Sequence, residues 1–206
     1  MRTKTLMKYL ASIPRRPYVS NEEVIRNAFE RNQLMLTDAL LDFQLQYAGY
    51  YHQHKGEVFI YGMLHEKSTY LPSLDIDFDD DNPQDVLHTC MDCLPSEMRA
   101  LNKQGVFYND YRPVAESFTK YLEQRAFRWK LSQEVEWETI NLPTHVQEAV
   151  KEEQSGKLEE YMVVEVSDQY ARIYQLNQGL VIKSTQEQAI AWKIAGTRQQ
   201  LFYFDL

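Results

Sequence analysis

The sequence predicts an α+β fold, in which a mainly antiparallel sheet is flanked by helices. Apolar residues recur at helical spacing in three separate segments, residues 20–32, 36–49 and 113–129. A run of β-branched and aromatic residues, 58–61, lies between two glycines after the second segment. Two similar runs flank the turn residues 167–169, which is typical of a hairpin.

The amino-terminal residues, 1–18, are basic and contain two prolines, so we expect an irregular lead-in there. The first helix is predicted to begin at Ser20, because Glu23 follows three residues later and completes a capping-box pattern. Its apolar side continues through Asn32.

The second helix is predicted to begin at Thr37, whose hydroxyl can accept from the exposed amides of a first turn. Gly49 is expected to end it, because glycine readily adopts the left-handed conformation that follows many helices. A polar turn then leads into a buried strand over residues 58–61.

The middle of the chain predicts short strands before a third helix. Residues 74–79 alternate apolar side chains with aspartates, which indicates an edge strand with one charged face. Further strands are predicted over 86–90 and 105–108. Pro113 has the position of a first helical residue, and the helix is expected to continue through Trp129.

Residues 135–206 have the pattern of an appended helix–hairpin–helix unit. The predicted elements are a helix over 142–154, strands over 161–166, 171–176 and 180–183, and a last helix that begins at Ser184 or Thr185 and ends at Ala195. The predicted organisation is thus a basic lead-in (1–18), an α+β domain (19–134) and this extension (135–206), which can pack on the same sheet.

The net charge of −8 is concentrated in one part of the chain. Between Asp75 and Glu97 lie eight acidic residues and neither Lys nor Arg, which leaves 22 acidic and 22 basic residues elsewhere. We call residues 75–97 the acidic segment. Its negative field disfavours nucleic acid, whose phosphates require positive charge, and it suits a basic partner or a hard cation.

Calcium binding is one interpretation of the acidic segment. Four of its aspartates alternate as the ligands of a calcium loop do, but the segment has no glycine to turn the backbone sharply. On a strand, alternate side chains point the same way, so these carboxylates would repel one another rather than surround an ion. We therefore predict no metal here, and expect either a solvated loop or a protein-binding face.

His88, Cys90 and Cys93 form a second candidate site, because such a group can bind zinc or carry out thiol chemistry. The acidic surroundings disfavour a reactive thiolate, and no second cysteine cluster supplies the missing zinc ligand. His52, His54 and His65 are possible distant donors. We favour two ordinary cysteines and keep a small zinc- or thiol-dependent enzyme as the alternative.

Other catalytic signals are weak. Neither a nucleophile elbow nor a P-loop is present. Polar aromatic residues cluster at 50–54 and could bind a small ligand, but we expect a solvent-facing loop there. A regulatory or scaffold module that binds through this loop is a third hypothesis.

The sequence predicts a cytoplasmic protein. It contains no run of about 20 apolar residues that could span a membrane, and its amino terminus lacks the apolar core of a signal peptide. Two cysteines fit a reducing compartment. We expect no cofactor and no binding to membranes or nucleic acid.

The order of these motifs resembles the SUKH superfamily, also called the SMI1/KNR4 family. Its members have a helix that ends in F-x-x-x-Y-x-G, and residues 43–49 match this pattern. A later strand and a helix of the form A-x-S-F-x-x-F/Y-L are matched by residues 105–108 and 115–122. The resemblance covers residues 20–129.

Membership of this superfamily implies an SMI1/KNR4-like α+β fold and a non-enzymatic role. Many bacterial members are immunity proteins, which bind and neutralise a cognate toxin that is often a nuclease. Because nucleases tend to be basic, an acidic inhibitor can mimic their polyanionic substrate. We therefore expect a cognate toxin or another basic protein as the partner, with no catalytic residue. The predicted contact residues are Asp75, Asp77, Asp79, Asp80, Asp81 and Asp85.

Overall fold

The structure, a computed structural model, is an α+β protein with antiparallel sheets, which confirms the predicted fold class. No helix in the part of the chain that it describes is long and apolar enough to cross a membrane. The described residues are 2–54, 57–64, 74–78, 85–92, 98–134, 136–140, 161–176, 179–184 and 189–194.

Within these ranges the chain contains four helices and three sheets. The helices are α1 (Lys4–Ser12), α2 (Glu22–Arg31), α3 (Asp38–Tyr47) and α4 (Phe118–Glu134). The strands are β1 (Tyr51–His54), β2 (Glu57–Tyr61), β3 (Ile76–Phe78), β4 (Val86–Thr89), β5 (Met91–Asp92), β6 (Arg99–Leu101), β7 (Phe107–Asn109), β8 (Arg112–Ala115), β9 (Trp137–Ile140), β10 (Ala171–Leu176), β11 (Gly179–Ser184) and β12 (Ala189–Ile194). Their orders in the sheets are β1-β2-β5, β3-β4-β6-β7-β8 and β10-β11-β12-β9.

The chain divides into two compact units. One is Met7–Pro113, and the other combines Met1–Leu6 with Val114–Leu206. The predicted domain at 19–134 includes α4, which the structure groups with the carboxy-terminal unit. The division into a domain at 19–134 and an extension at 135–206 stays a prediction.

The core of the Met7–Pro113 unit is built on α2 and α3, which contact each other. Ile25 and Phe29 of α2 and Leu40 and Phe43 of α3 are at most 3% exposed. Their spacing of three or four residues puts them on one side of each helix. His88 of the five-stranded sheet lies against Phe29, with 5.3 Å between the ring centroids.

The opposite face of the five-stranded sheet has its own small apolar cluster. Leu87, Ala100 and Tyr108 are buried together there, with Met98 and Val106 packed against them. The antiparallel register places Ala100 opposite Tyr108, which explains why these side chains share a face.

The carboxy-terminal unit has a separate core. Leu131 of α4 packs with Val166 and with Ile173 of β10, and two partly buried side chains, Phe127 and Val163, cover this cluster. Helix α4 thus contributes to the same core as the four-stranded sheet that contains β10.

The expectation of an irregular lead-in over residues 1–18 is wrong for its first part, because Lys4–Ser12 forms α1. The Thr3 hydroxyl accepts from the Leu6 amide at 3.2 Å and caps the first turn. Leu6, Tyr9 and Leu10 are buried, whereas Lys8 is exposed and does not interrupt the apolar side. Both prolines follow the helix.

The first predicted cap is also wrong, by one residue. Asn21, not Ser20, caps α2, and its side-chain oxygen accepts from the amides of Glu23 and Val24 at 2.9 and 3.2 Å. Both residue types are good caps, so the sequence alone offered two adjacent starts.

The second helix is confirmed at both ends. Thr37 caps α3 by accepting from the Leu40 amide at 3.4 Å. Ala48 is the C-cap residue, and Gly49 follows it with a positive φ of 84°. A Cβ at Gly49 would lie 2.4 Å from the Arg16 carbonyl oxygen, so glycine is also required by the close approach of that backbone.

Tyr51–His54 is a strand rather than the predicted solvent-facing loop. It pairs residue by residue with β2, from Tyr51 opposite Ile60 to His54 opposite Glu57. A polar and aromatic sequence fits a strand when half of its side chains are covered, and His52 is buried.

Pro113 does not begin the third helix, because it lies inside β8. A proline is tolerated there because β8 is an outer strand of its sheet and needs no donor on its free side. Helix α4 begins at Phe118, and the Ser117 hydroxyl caps it by accepting from the Lys120 amide at 3.1 Å.

The carboxy-terminal elements agree with the prediction only in part. Strand β10 coincides with the predicted 171–176, and β11 contains the predicted 180–183. The 161–166 strand is reduced to a single bridge between Met162 and Tyr174.

The last predicted helix is wrong, because Ala189–Ile194 is strand β12 between β11 and β9. Its apolar residues also recur at every second position, which is the period of a strand. Pairing with β11 on one side and β9 on the other stabilises the strand. The predicted helix at 142–154 lies outside the described residues.

Candidate partner-binding site

The acidic segment begins at the edge of the five-stranded sheet. Asp75 precedes β3, Asp77 is the central residue of β3, and β3 is the outermost strand. The predicted edge strand is therefore confirmed. Asp79, Asp80 and Asp81 lie outside the described residues.

The hydrogen bonds of β3 show which backbone groups face outward. The Thr89 amide donates to the Asp75 carbonyl at 2.9 Å, and the register continues at Asp77. Backbone groups alternate between the two sides of an antiparallel strand. Those of Asp75 and Asp77 therefore face β4. Those of Ile76 and Phe78 face outward, where no strand in the described part of the chain pairs with β3.

The same edge exposes apolar side chains. Leu74, which precedes the strand, is 9% exposed, but Ile76 is 39% and Phe78 52% exposed. Large apolar side chains at a sheet edge are uncommon, because they favour pairing with another chain. The edge thus combines exposed apolar groups with charge.

Two hydrogen bonds hold the Asp77 carboxylate at this edge. Its Oδ2 accepts from the Tyr111 hydroxyl, and its Oδ1 accepts from the Phe78 amide at 2.9 Å. The bond from Tyr111, and secondarily that from Phe78, lowers the pKa of Asp77, because each favours the ionised carboxylate. Asp77 therefore keeps its charge to lower pH than an ordinary aspartate.

Tyr111 reaches Asp77 from a strained turn. Asp110 and Tyr111 connect β7 to β8 and have φ values of 51° and 62°. Two residues with positive φ are typical of the type I′ hairpin turn. A bulky residue rarely adopts this conformation. The Tyr111 hydroxyl that bonds Asp77 therefore comes from a residue in an uncommon backbone conformation.

Asp85 has a different environment from the other predicted contact residues. Its side chain is only 13% exposed, its Oδ2 accepts from the Asn102 amide nitrogen at 3.2 Å, and Lys103 Nζ lies 4.0 Å from its Oδ1. Asn102 in turn accepts from the Gln104 and Val106 amides at 3.1 and 3.0 Å. Asp85 therefore organises the turn between β6 and β7.

His88 and Cys90 are enclosed side chains, 2% and 0% exposed. Burial lowers the pKa of His88 from 6.5 to about 4, so this histidine is neutral at pH 7. Cys93 lies outside the described residues. The described ranges contain no group of three His, Cys, Asp or Glu side chains that could hold a metal ion.

The 50–54 cluster is occupied by contacts within its own unit. The His52 ring stacks on Phe59 at 4.9 Å between centroids, and its Nδ1 is hydrogen-bonded to the Tyr61 hydroxyl at 2.9 Å. The Arg15 guanidinium lies 4.5 Å from the centre of the Tyr50 ring. These contacts fit a packing role better than an open ligand site.

The sequence identified the aspartates of this site but missed Tyr111, Ile76 and Phe78. No local pattern in the sequence indicates that Tyr111 contacts a carboxylate 34 residues away. The alternation at 74–79 indicated the strand without showing that its apolar residues would be exposed.

Comparison with known proteins gives no relative for this chain. No family model matches it, and neither a curated protein nor a solved structure does. The resemblance to the SUKH superfamily therefore stays a prediction that depends on the sequence motifs.

Proposed function

We propose that this chain is a non-enzymatic protein-binding module of the cytoplasm. In this proposal it is an immunity protein of the SUKH type that binds and neutralises a basic toxin, with nucleases as the leading class. The sequence motifs support the family, and the concentration of negative charge supports the chemistry of the partner.

One structural observation carries the proposal. The acidic segment starts at an outer strand, where Asp75 and Asp77 alternate along the chain with the exposed side chains of Ile76 and Phe78. Charge at a protein interface accelerates association and selects the partner, and buried apolar anchors slow dissociation. This edge offers both components within four consecutive residues.

The positions of the aspartates support a narrower set of proposed contacts. Asp75 and Asp77 are at the edge, and Asp79, Asp80 and Asp81 follow directly in the sequence. Asp85 is better assigned to positioning the β6–β7 turn, because it is mostly buried and bonded to Asn102.

The alternative of a zinc- or thiol-dependent enzyme has less support. A substrate would need access to His88 and Cys90, and both side chains are enclosed by the fold. The third hypothesis, a regulatory module that binds through residues 50–54, is weakened by the contacts that already cover His52.

The experiment uses the product of the adjacent gene, because an immunity protein is encoded beside its toxin. Expressed alone, that product should arrest growth, and co-expression of this chain should restore it. Replacing Asp79, Asp80 and Asp81 by Asn should raise the dissociation constant about tenfold or more and weaken the rescue.

A matched control removes the same number of charges elsewhere. Glu30→Gln, Asp42→Asn and Glu134→Gln change three exposed acidic residues outside the acidic segment. This variant should rescue growth as the unmodified chain does. The proposal is wrong if the adjacent product is harmless and unbound, or if both triple variants behave alike.

A further inference from the structure

We infer that the outer edge of β3 receives an extended, basic segment of a protein partner, which adds a strand to the five-stranded sheet. This inference rests on the proposed function and specifies how the acidic segment would bind. Strand addition to an exposed sheet edge is a common mode of peptide recognition, in which the main chain gives affinity and side chains give specificity.

The backbone of β3 supplies the pairing groups. Alternation along the strand directs the groups of Ile76 and Phe78 outward. The Phe78 amide is held by Asp77 Oδ1 at 2.9 Å. Among the described residues, the amide and carbonyl of Ile76 and the carbonyl of Phe78 have no strand partner and can start pairing. The Phe78 amide can follow by exchanging one acceptor for another.

The side chains of β3 specify the sequence of the occupant. Successive side chains of a strand point to opposite faces, so Ile76 and Phe78 share one face and Asp75 and Asp77 the other. Side chains of an added strand would lie beside them as cross-strand neighbours. The matching occupant is a segment in which Lys or Arg alternates with Val, Ile or Leu.

Charge favours such a partner over a second copy of this chain. Edge-to-edge pairing of two β3 strands would bring the carboxylates of Asp75 and Asp77 close to those of the other copy, and like charges on neighbouring strands are destabilising. Inward or edge charges of this kind protect a sheet from self-association. The same charges attract a basic strand.

The test uses a blocked peptide of seven residues, alternating Lys and Val and beginning and ending with Lys, with a fluorescent label. It should bind the intact chain, and binding should slow hydrogen exchange at the Ile76 amide. The same peptide methylated on every backbone nitrogen keeps its charges but cannot donate to a strand. Its dissociation constant should be higher than that of the unmethylated peptide by about tenfold or more.

Protein variants give the complementary test. Ile76→Pro removes the outward amide, which an edge strand tolerates, and Ile76→Ala removes the same side-chain contacts but keeps that amide. Peptide affinity should fall about tenfold further for Ile76→Pro than for Ile76→Ala. If the proline variant fails to fold, the comparison of the two peptides still tests strand addition.

The outcomes separate this inference from the proposed function. Equal binding of the two peptides, or of the Pro and Ala variants, would show attraction by charge alone and would overturn strand addition while leaving the acidic contact face in place. Failure of the unmodified peptide to bind at about 1 mM would also overturn strand addition. Growth rescue that is insensitive to Asp79–Asp81 substitution would instead remove the acidic contact face.

Discussion

His88 is the residue whose chemistry is most altered by the fold. Its ring is 2% exposed and lies against Phe29, and burial lowers its pKa from 6.5 to about 4. Charging the imidazole inside the core would require removing a cation from water, which is why the neutral form is favoured. The histidine therefore packs as an aromatic ring.

This burial predicts a pH-dependent stability. The unfolded chain protonates His88 near pH 6.5 but the folded chain only near pH 4, so the unfolded state binds more protons between these values. The free energy of unfolding should be highest above pH 6.5 and fall as the pH decreases to 4, by up to about 3 kcal/mol from this residue. Denaturant titrations at several pH values measure the effect.

His88→Leu should make the free energy of unfolding less dependent on pH between pH 4 and 6.5. The substitution also changes the packing around this position. Cys90→Ala is the matched control, because it also changes a buried side chain but leaves His88 in place. Parallel profiles for the unmodified chain and His88→Leu would contradict the assigned burial.

At the scale of elements, Gln44 joins α3 to the segment that follows β2. Its Nε2 donates to the carbonyls of Val19 and Leu64, both at 3.0 Å. Its Oε1 accepts from the amides of Met63 and Leu64 at 2.9 and 3.2 Å. The side chain is fully buried, so it provides the hydrogen bonds that water cannot.

Replacing Gln44 by Leu should therefore lower the free energy of unfolding more than the loss of solvent-exposed hydrogen bonds would. Four buried backbone groups would lose their partners, and we expect the free energy of unfolding to fall by about 3 kcal/mol or more. Gln53→Leu, at an exposed position of β1, should change it by only about 0.5 kcal/mol. Equal effects of the two substitutions would disprove the structural role of Gln44.

The elements that could be predicted from the sequence are those with strong local signals. Thr37 and Gly49 delimit α3 by capping chemistry that needs no distant partner. Strand β2 could be predicted because apolar β-branched and aromatic residues dominate it. Where two local signals competed, as at Ser20 and Asn21, the sequence could not choose between them.

The errors arise where pairing between distant segments decides the outcome. Strand β1 has a polar sequence and exists because β2 pairs with it. Strand β12 has apolar residues that fit either period, and its neighbours β11 and β9 fix the strand. For the site, the aspartates could be predicted from composition, but the Tyr111 contact with Asp77 depends on how the hairpin β7–β8 folds.

At the scale of the whole molecule, the distribution of charge is the main functional signal. The acidic segment carries a charge equal to the net charge of −8, and it lies entirely within the Met7–Pro113 unit. The other acidic and basic residues balance. The proposed partner would therefore meet a negative field from one part of the chain, and this field should govern both the rate of association and its dependence on salt.

The most direct test of this account is the dissociation constant of the complex with the proposed toxin, measured from about 50 to about 500 mM salt. For the unmodified chain, affinity should fall steeply as salt rises. The Asp79, Asp80 and Asp81 to Asn variant should show weaker binding at low salt and a flatter dependence, while the control variant at Glu30, Asp42 and Glu134 keeps the original slope. Unchanged affinity and slope in the Asn variant would contradict the claim that the acidic segment is the contact face.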